Sequence, residues 1–152
     1  MSRHREPSFI RLGFYLILLG GIIVGVYSCE KRKVKQLSAE TGLDLYSISD
    51  VVPVRSHLGD FLYVECEGVG ENENNQKFFV EYKISNYHYE KFINLEEYSF
   101  KTFSEKKIDQ FVDIIIPEYE PTRILNEKEI VERLDEIQNP SSTSSNKEDL
   151  EK

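Results

Sequence analysis

The sequence is short of positive charge, of glycine beyond its midpoint, and of every short motif with known catalytic mechanics. Its 19 Lys plus Arg stand against 27 Asp plus Glu, a formal net charge of −8. Nucleic-acid affinity comes largely from cations that neutralise phosphates, so DNA and RNA drop out as expected partners. The last glycine is Gly70. Phosphate cradles need glycine where the backbone approaches the ligand or takes positive φ, so the chain from Glu71 onward holds neither a P-loop nor a dinucleotide fingerprint. The G-x-S-x-G elbow, the H-E-x-x-H pair and paired C-x-x-C spacings are missing as well.

The remaining candidates for chemistry are sparse. His4, His57 and His88 are scattered, and a zinc site would need third and fourth ligands that no spacing supplies. His57 and His88 read as surface or edge-strand residues. His88-Tyr89-Glu90 has the H-x-E of zinc deaminases without the downstream P-C-x-x-C. Glu71, Glu73 and Asn75 place oxygens at alternate positions, as a calcium loop begins, but Gln76 stands where that loop requires glycine and Tyr82 where it requires a carboxylate. No catalytic residue, metal site or cofactor is expected.

What is present begins with an apolar run. From Leu12 to Cys29 there is no charged residue. As a helix rising about 1.5 Å per residue the run spans roughly 27 Å, most of a bilayer core. A water-soluble core helix would carry a polar stripe, and Gly13, Gly20, Gly21 and Gly25 would weaken it, whereas membrane spans tolerate glycine. Membrane lipid is thus the expected partner of residues 12–29. Arg3, Arg5 and Arg11 precede the run, and Lys31, Arg32, Lys33 and Lys35 follow as a cationic collar suited to anionic headgroups.

The run ends Val26-Tyr27-Ser28-Cys29, which resembles the lipobox of bacterial lipoprotein signal peptides. Val26, Ser28 and Cys29 match its aliphatic, small and cysteine positions, while Tyr27 departs from the usual small or aliphatic residue. The resemblance covers only the N-terminal segment and implies cleavage before Cys29 and lipidation of that residue. The alternative is an uncleaved single-pass helix. Either way the basic start favours a soluble domain facing away from the cytoplasm. If Cys29 is lipidated, Cys66 has no disulfide partner and the domain stands on its core alone.

Residues 1–29 therefore read as signal peptide or anchor, 30–50 as basic collar and linker, 51–138 as a small α+β domain, and 139–152 as a disordered tail too polar to offset its ordering entropy. Within the collar segment, residues 34–41 fit a short helix ended by Gly42, and Pro53 argues against a central strand. FLYVECE (61–67) and KFFVEYKI (77–84) alternate with period two: Leu62, Val64 and Cys66 share one face, as do Phe78, Val80, Tyr82 and Ile84, with Lys77, Glu81 and Lys83 opposite. They predict two antiparallel strands joined by a long exposed loop, GVGENENNQ. Further strand is expected around 96–103. A helix capped by Ser104 follows, with Ile108, Phe111, Val112 and Ile115 as its stripe and Pro117 as its end. A second helix starts at Asn126 with Glu129 in a capping box and carries Ile130, Val131, Leu134 and Ile137; Pro140 closes it.

The fold class is thus α+β, an antiparallel sheet packed with two C-terminal helices behind a membrane segment. Tyr87 and Tyr89, beside an acidic field, are the candidate binding patch, because exposed tyrosine presents large apolar area with a polar tip. The function this supports is that of a membrane-anchored, extracytoplasmic, non-catalytic binding protein. Its rivals are a small envelope hydrolase, an assembly subunit paired through Gly21 and Gly25, and, in topology, a single-pass protein facing the cytoplasm.

Overall fold

A computed structural model describes residues 29–95 and 102–139. The chain divides into two units, Met1–Lys33 and Val34–Lys152. The apolar run up to Ser28, most of the strand expected at 96–103, and the tail from Pro140 lie outside the described residues. Among those described, no helix is long and apolar enough to cross a membrane.

The described chain is helical over 29–41 (α1). Leu37, fully buried, and Val34 one turn earlier turn toward the same core. The helix ends where the sequence predicts. Gly42 takes φ +72° and its N–H reaches Ser38 O at 2.9 Å, while Thr41 Oγ1 donates to Leu37 O at 2.8 Å. A Cβ at Gly42 would meet nothing within 4 Å, so glycine serves the left-handed backbone alone.

Strands β1 (Asp44–Ser56), β2 (Gly59–Val69), β3 (Asn75–Ile84) and β4 (Arg123–Leu125) form one antiparallel sheet in that order. β1 begins inside the 30–50 segment that reads as linker. Its aliphatics show no settled period because register shifts fall between Leu45 and Ser47 and between Ile48 and Asp50. Pro53 sits in this strand at the sheet edge, where its missing N–H leaves no interior ladder bond unmade. Cross-strand pairs Leu62↔Tyr82, Val64↔Val80 and Cys66↔Phe78 set the predicted faces against each other. The loop between β2 and β3 is shorter than GVGENENNQ suggests. Pairing continues to Val69↔Asn75, and residues 70–74 turn with Glu73 at φ 57°.

The aromatic stretch after Ile84 resolves as helix α2 (Asn86–Ile93), N-capped by Ser85. Helix α3 (Phe103–Gln110) is capped by Thr102 in a capping box with Glu105, not by Ser104, which lies within the first turn. A wide π turn, Phe111–Ile115, follows, in which Ile116 N–H reaches Phe111 O, and α4 (Ile116–Glu118) contains Pro117. A proline ring collides with the carbonyl four residues back in a regular α-helix, and the widened turn ahead of it relieves that collision. The helix therefore runs past Pro117. The capping box of α5 (Glu127–Gln138) forms as expected, Asn126 Oδ1 accepting from Lys128 and Glu129 N–H, both at 3.0 Å.

Helices cover both faces of the sheet. On one face Leu62, Val64, Cys66, Val80 and Tyr82 pack with Leu37, Phe92, Phe111 and Ile115. On the other Phe61, Tyr63 and Leu125 pack with Ile130 and Ile137 of α5. Fully burying a side chain of this size contributes about 1.5–3 kcal/mol, so neither layer is dispensable. Val131 corrects the predicted stripe: it is 66% exposed, and Arg133 takes a buried place on α5 instead.

Candidate functional site

Two polar clusters flank the sheet. The first gathers at the end of β1, where the chain turns through His57 and Leu58 into β2 and where α2 begins. Arg55 donates through Nε to Asp60 at 2.7 Å and through Nη1 to Glu90 at 3.1 Å, and Nη2 donates to Asn86. Its guanidinium lies 4.2 Å from the centre of the Tyr89 ring. One side chain thus ties the β1–β2 hairpin to three residues of α2. The Asp60 hydrogen bond, against some desolvation, raises the already high pKa of the guanidinium, and Glu90 adds to it. The guanidinium therefore stays charged at any relevant pH.

Behind it lies His88, 9% exposed. This corrects the reading of a surface or edge-strand histidine: its place on α2, four residues before Phe92, turns it inward. His88 Nδ1 is 2.8 Å from Tyr119 OH and 3.4 Å from Ser85 Oγ, and Nε2 is 3.7 Å from Glu118 Oε2. The Tyr119 and Tyr87 rings stand edge-on to the imidazole at 5.6 and 5.2 Å. His57 is elsewhere, its Nδ1 3.0 Å from Ile137 O at the end of α5.

The two tyrosines of the candidate patch part company here. Tyr87 is 67% exposed, whereas Tyr89 is half-buried beneath Arg55 and packs against the core. Lys91, one turn on, reaches over the Tyr87 ring at 5.6 Å. On α2, Tyr87 thus faces outward with Lys91 over its ring, and Tyr89 lies against the core.

The second cluster centres on Glu81, which alternation places on a solvent face and which is 1% exposed. Arg133 Nε, Tyr63 OH and Thr122 Oγ1 donate to its carboxylate at 2.8, 2.7 and 2.8 Å. Arg133 also donates to Glu136 at 2.9 Å. Burial alone would raise the Glu81 pKa; the donors outweigh it and hold the carboxyl below its ordinary value. Tyr63 is pushed up by burial and by the same carboxylate. Arg133 is lowered by desolvation but raised overall by Glu81 and Glu136. With its charge matched and its oxygens engaged, this cluster fastens α5 to the sheet rather than offering a free acid or base.

Cys66 is fully buried on β2, as its alternation predicts, with Sγ 3.5 Å from Phe78 O. Burial, with Glu65 adding to it, pushes its thiol up to about 12, so it carries essentially no thiolate at neutral pH. Cys29 is exposed at the first described position of α1. Among the described residues no group of three or more His, Cys, Asp or Glu side chains is placed to hold a metal ion. An open cleft of about 490 Å³ lies beside the β4 edge, lined by Glu40, Thr41, Thr122, Arg123 and Ile124 among others. Neither His57 nor His88 lines it, and of the Glu81 cluster it touches Thr122 but not Glu81, Tyr63 or Arg133.

Sequence reasoning missed Arg55, Ser85, Glu118 and Tyr119 as neighbours of the patch. The contacts of Arg55, Glu118 and Tyr119 with α2 cross 30 to 35 positions of sequence, beyond the reach of any local pattern, whereas Ser85 is a local cap three positions before His88. No family model, curated protein or solved structure matches the chain.

Proposed function

We propose that the chain is a membrane-anchored, extracytoplasmic protein that acts by non-catalytic contact with an envelope protein through α2. The observation that carries the anchor is the charge-free run from Leu12 to Cys29, bounded by basic residues and ending in Val26-Tyr27-Ser28-Cys29. Lipidation at Cys29 and retention of the span are its two forms. Contact rather than turnover is supported by how the polar side chains are used. Arg55 and Glu81 are each engaged by several partners, and the Cys66 thiol is suppressed. Tyr87, by contrast, is displayed on a helix held from two sides, which lowers the ordering cost of binding.

Two measurements test this. Intact mass of the membrane-purified protein distinguishes the forms: loss of residues 1–28 with an acyl increment at Cys29 marks the lipoprotein, and the unprocessed mass marks the single span. Recovery in the aqueous fraction without detergent would reject both. For the contact, a photo-crosslinking residue at position 87 should give a discrete adduct in intact cells. The same residue at position 131, also exposed but on α5, should give none; equal yields would refute a contact through α2.

A further inference from the structure

His88 presents a bonding problem with two solutions. Tyr119 has one hydroxyl proton and two acceptors within reach, His88 Nδ1 at 2.8 Å and Ser85 Oγ at 3.2 Å. Ser85 Oγ also caps α2 by accepting from His88 N–H at 3.3 Å, and Ser85 N–H donates to Tyr119 OH at 3.3 Å. With the imidazole neutral and its proton on Nε2, Nδ1 accepts from Tyr119. When the ring takes a proton from water at Nδ1, that nitrogen becomes a donor, Tyr119 must accept, and the tyrosine proton turns to Ser85 Oγ. Nε2–H meanwhile faces the Glu118 carboxylate 3.7 Å away, and the pair becomes ionic.

We infer that His88 with Tyr119, Ser85 and Glu118 forms a proton-operated relay joining the start of α2 to the end of α4. Facing the ring are Tyr119 and Glu118 from beyond the π turn, and Ser85 and Tyr87 from α2 and its cap. Among the described residues, Glu118 is the charged side chain within ion-pair distance of the imidazole. Acid thus tightens the relay and places positive charge behind the edge-packed Tyr87 ring. The inference stands apart from the membrane reading and from any partner of Tyr87, and rests on these distances.

The experiment uses the full chain in uncharged detergent with ¹³C-labelled histidine and tyrosine rings. The chain has three histidines, so His88 is assigned by its loss in His88→Gln. Between pH 5 and 8, where histidine changes charge, the Tyr119 Cζ resonance should move with the same midpoint as the His88 ring and should stay still in His88→Gln. Glu118→Gln, at a side chain 56% exposed, provides a variant with little risk to folding. In the wild type, amide exchange at residues 85–89, corrected for intrinsic rates, should slow about two- to fivefold on the acid side, as expected of a partly exposed ion pair. Glu118→Gln should abolish that difference. A Tyr119 resonance that stays flat while His88 titrates, a His88 that does not titrate in this range, or slowing that persists in Glu118→Gln would each overturn the relay.

Discussion

Arg133 of α5 donates through Nε to the Glu81 carboxylate of β3 at 2.8 Å, with both side chains withdrawn from solvent. Breaking such a pair from one side strands a charge in the interior. Arg133→Met should therefore cost about 3–5 kcal/mol in urea unfolding. Replacing both residues by apolar ones of similar volume should restore most of the loss, because no unmatched charge remains. A double variant as unstable as the single one would show that the hydrogen bonds to Tyr63 and Thr122 matter more than the charge match.

The same carboxylate sets an acid limit. Its folded pKa lies below the unfolded one, so its stabilisation is complete above the unfolded glutamate value of about 4.3 and is lost as pH falls through the folded value. Thermal midpoints measured from neutral to about pH 3 should drop over that acid window. Glu81→Gln should start lower at neutral pH and show a shallower acid limb. An unchanged limb would assign the acid sensitivity to other carboxylates.

Thiol labelling separates the two cysteines. Cys29 is exposed and Cys66 is buried with its thiol pushed up to about 12. An unprocessed native chain should take one iodoacetamide label at neutral pH and a second only in denaturant. A chain lipidated at Cys29 should take none until unfolded. Rapid native labelling of Cys66 would contradict its burial in the core beneath the helices.

Gly68 and Gly70 differ in what surrounds them. A Cβ at Gly68 would press on the Asp44 carbonyl oxygen and stand 2.9 Å from Leu45 Cδ2, so the β1 backbone must move. At Gly70 the obstacle is the free end of the Gln76 side chain. Gly68→Ala should cost about 1–3 kcal/mol and Gly70→Ala within about 0.5 kcal/mol, both read by thermal or urea unfolding.

The two central strands were legible because Leu62, Val64 and Cys66 and their partners Phe78, Val80 and Tyr82 alternate without interruption. The α5 start was legible because a capping box is written within four consecutive residues. Glu81 and Arg133 were not. An ion pair buried between two elements has the same one-dimensional signature as two solvated charges, and their contact spans 52 positions. Val131 is exposed because the buried face of α5 runs through Ile130, Arg133 and Ile137, with the guanidinium on Glu81. The exposure of the two tyrosines was half legible. Tyr87 is displayed as its residue type suggests, but the fixing of Tyr89 under Arg55 depends on a hairpin more than thirty residues earlier.

The donors to Glu81 come from β2, from the approach to β4 and from α5, so the second face of the sheet is assembled from distant parts of the polypeptide. Until α5 docks, Phe61, Tyr63 and Leu125 lack their cover and the Glu81 carboxylate lacks its buried cation. Closure of that side therefore waits on a helix that reaches residue 138, so loss of α5 alone would leave one layer of the protein open while the opposite layer keeps all its packing partners.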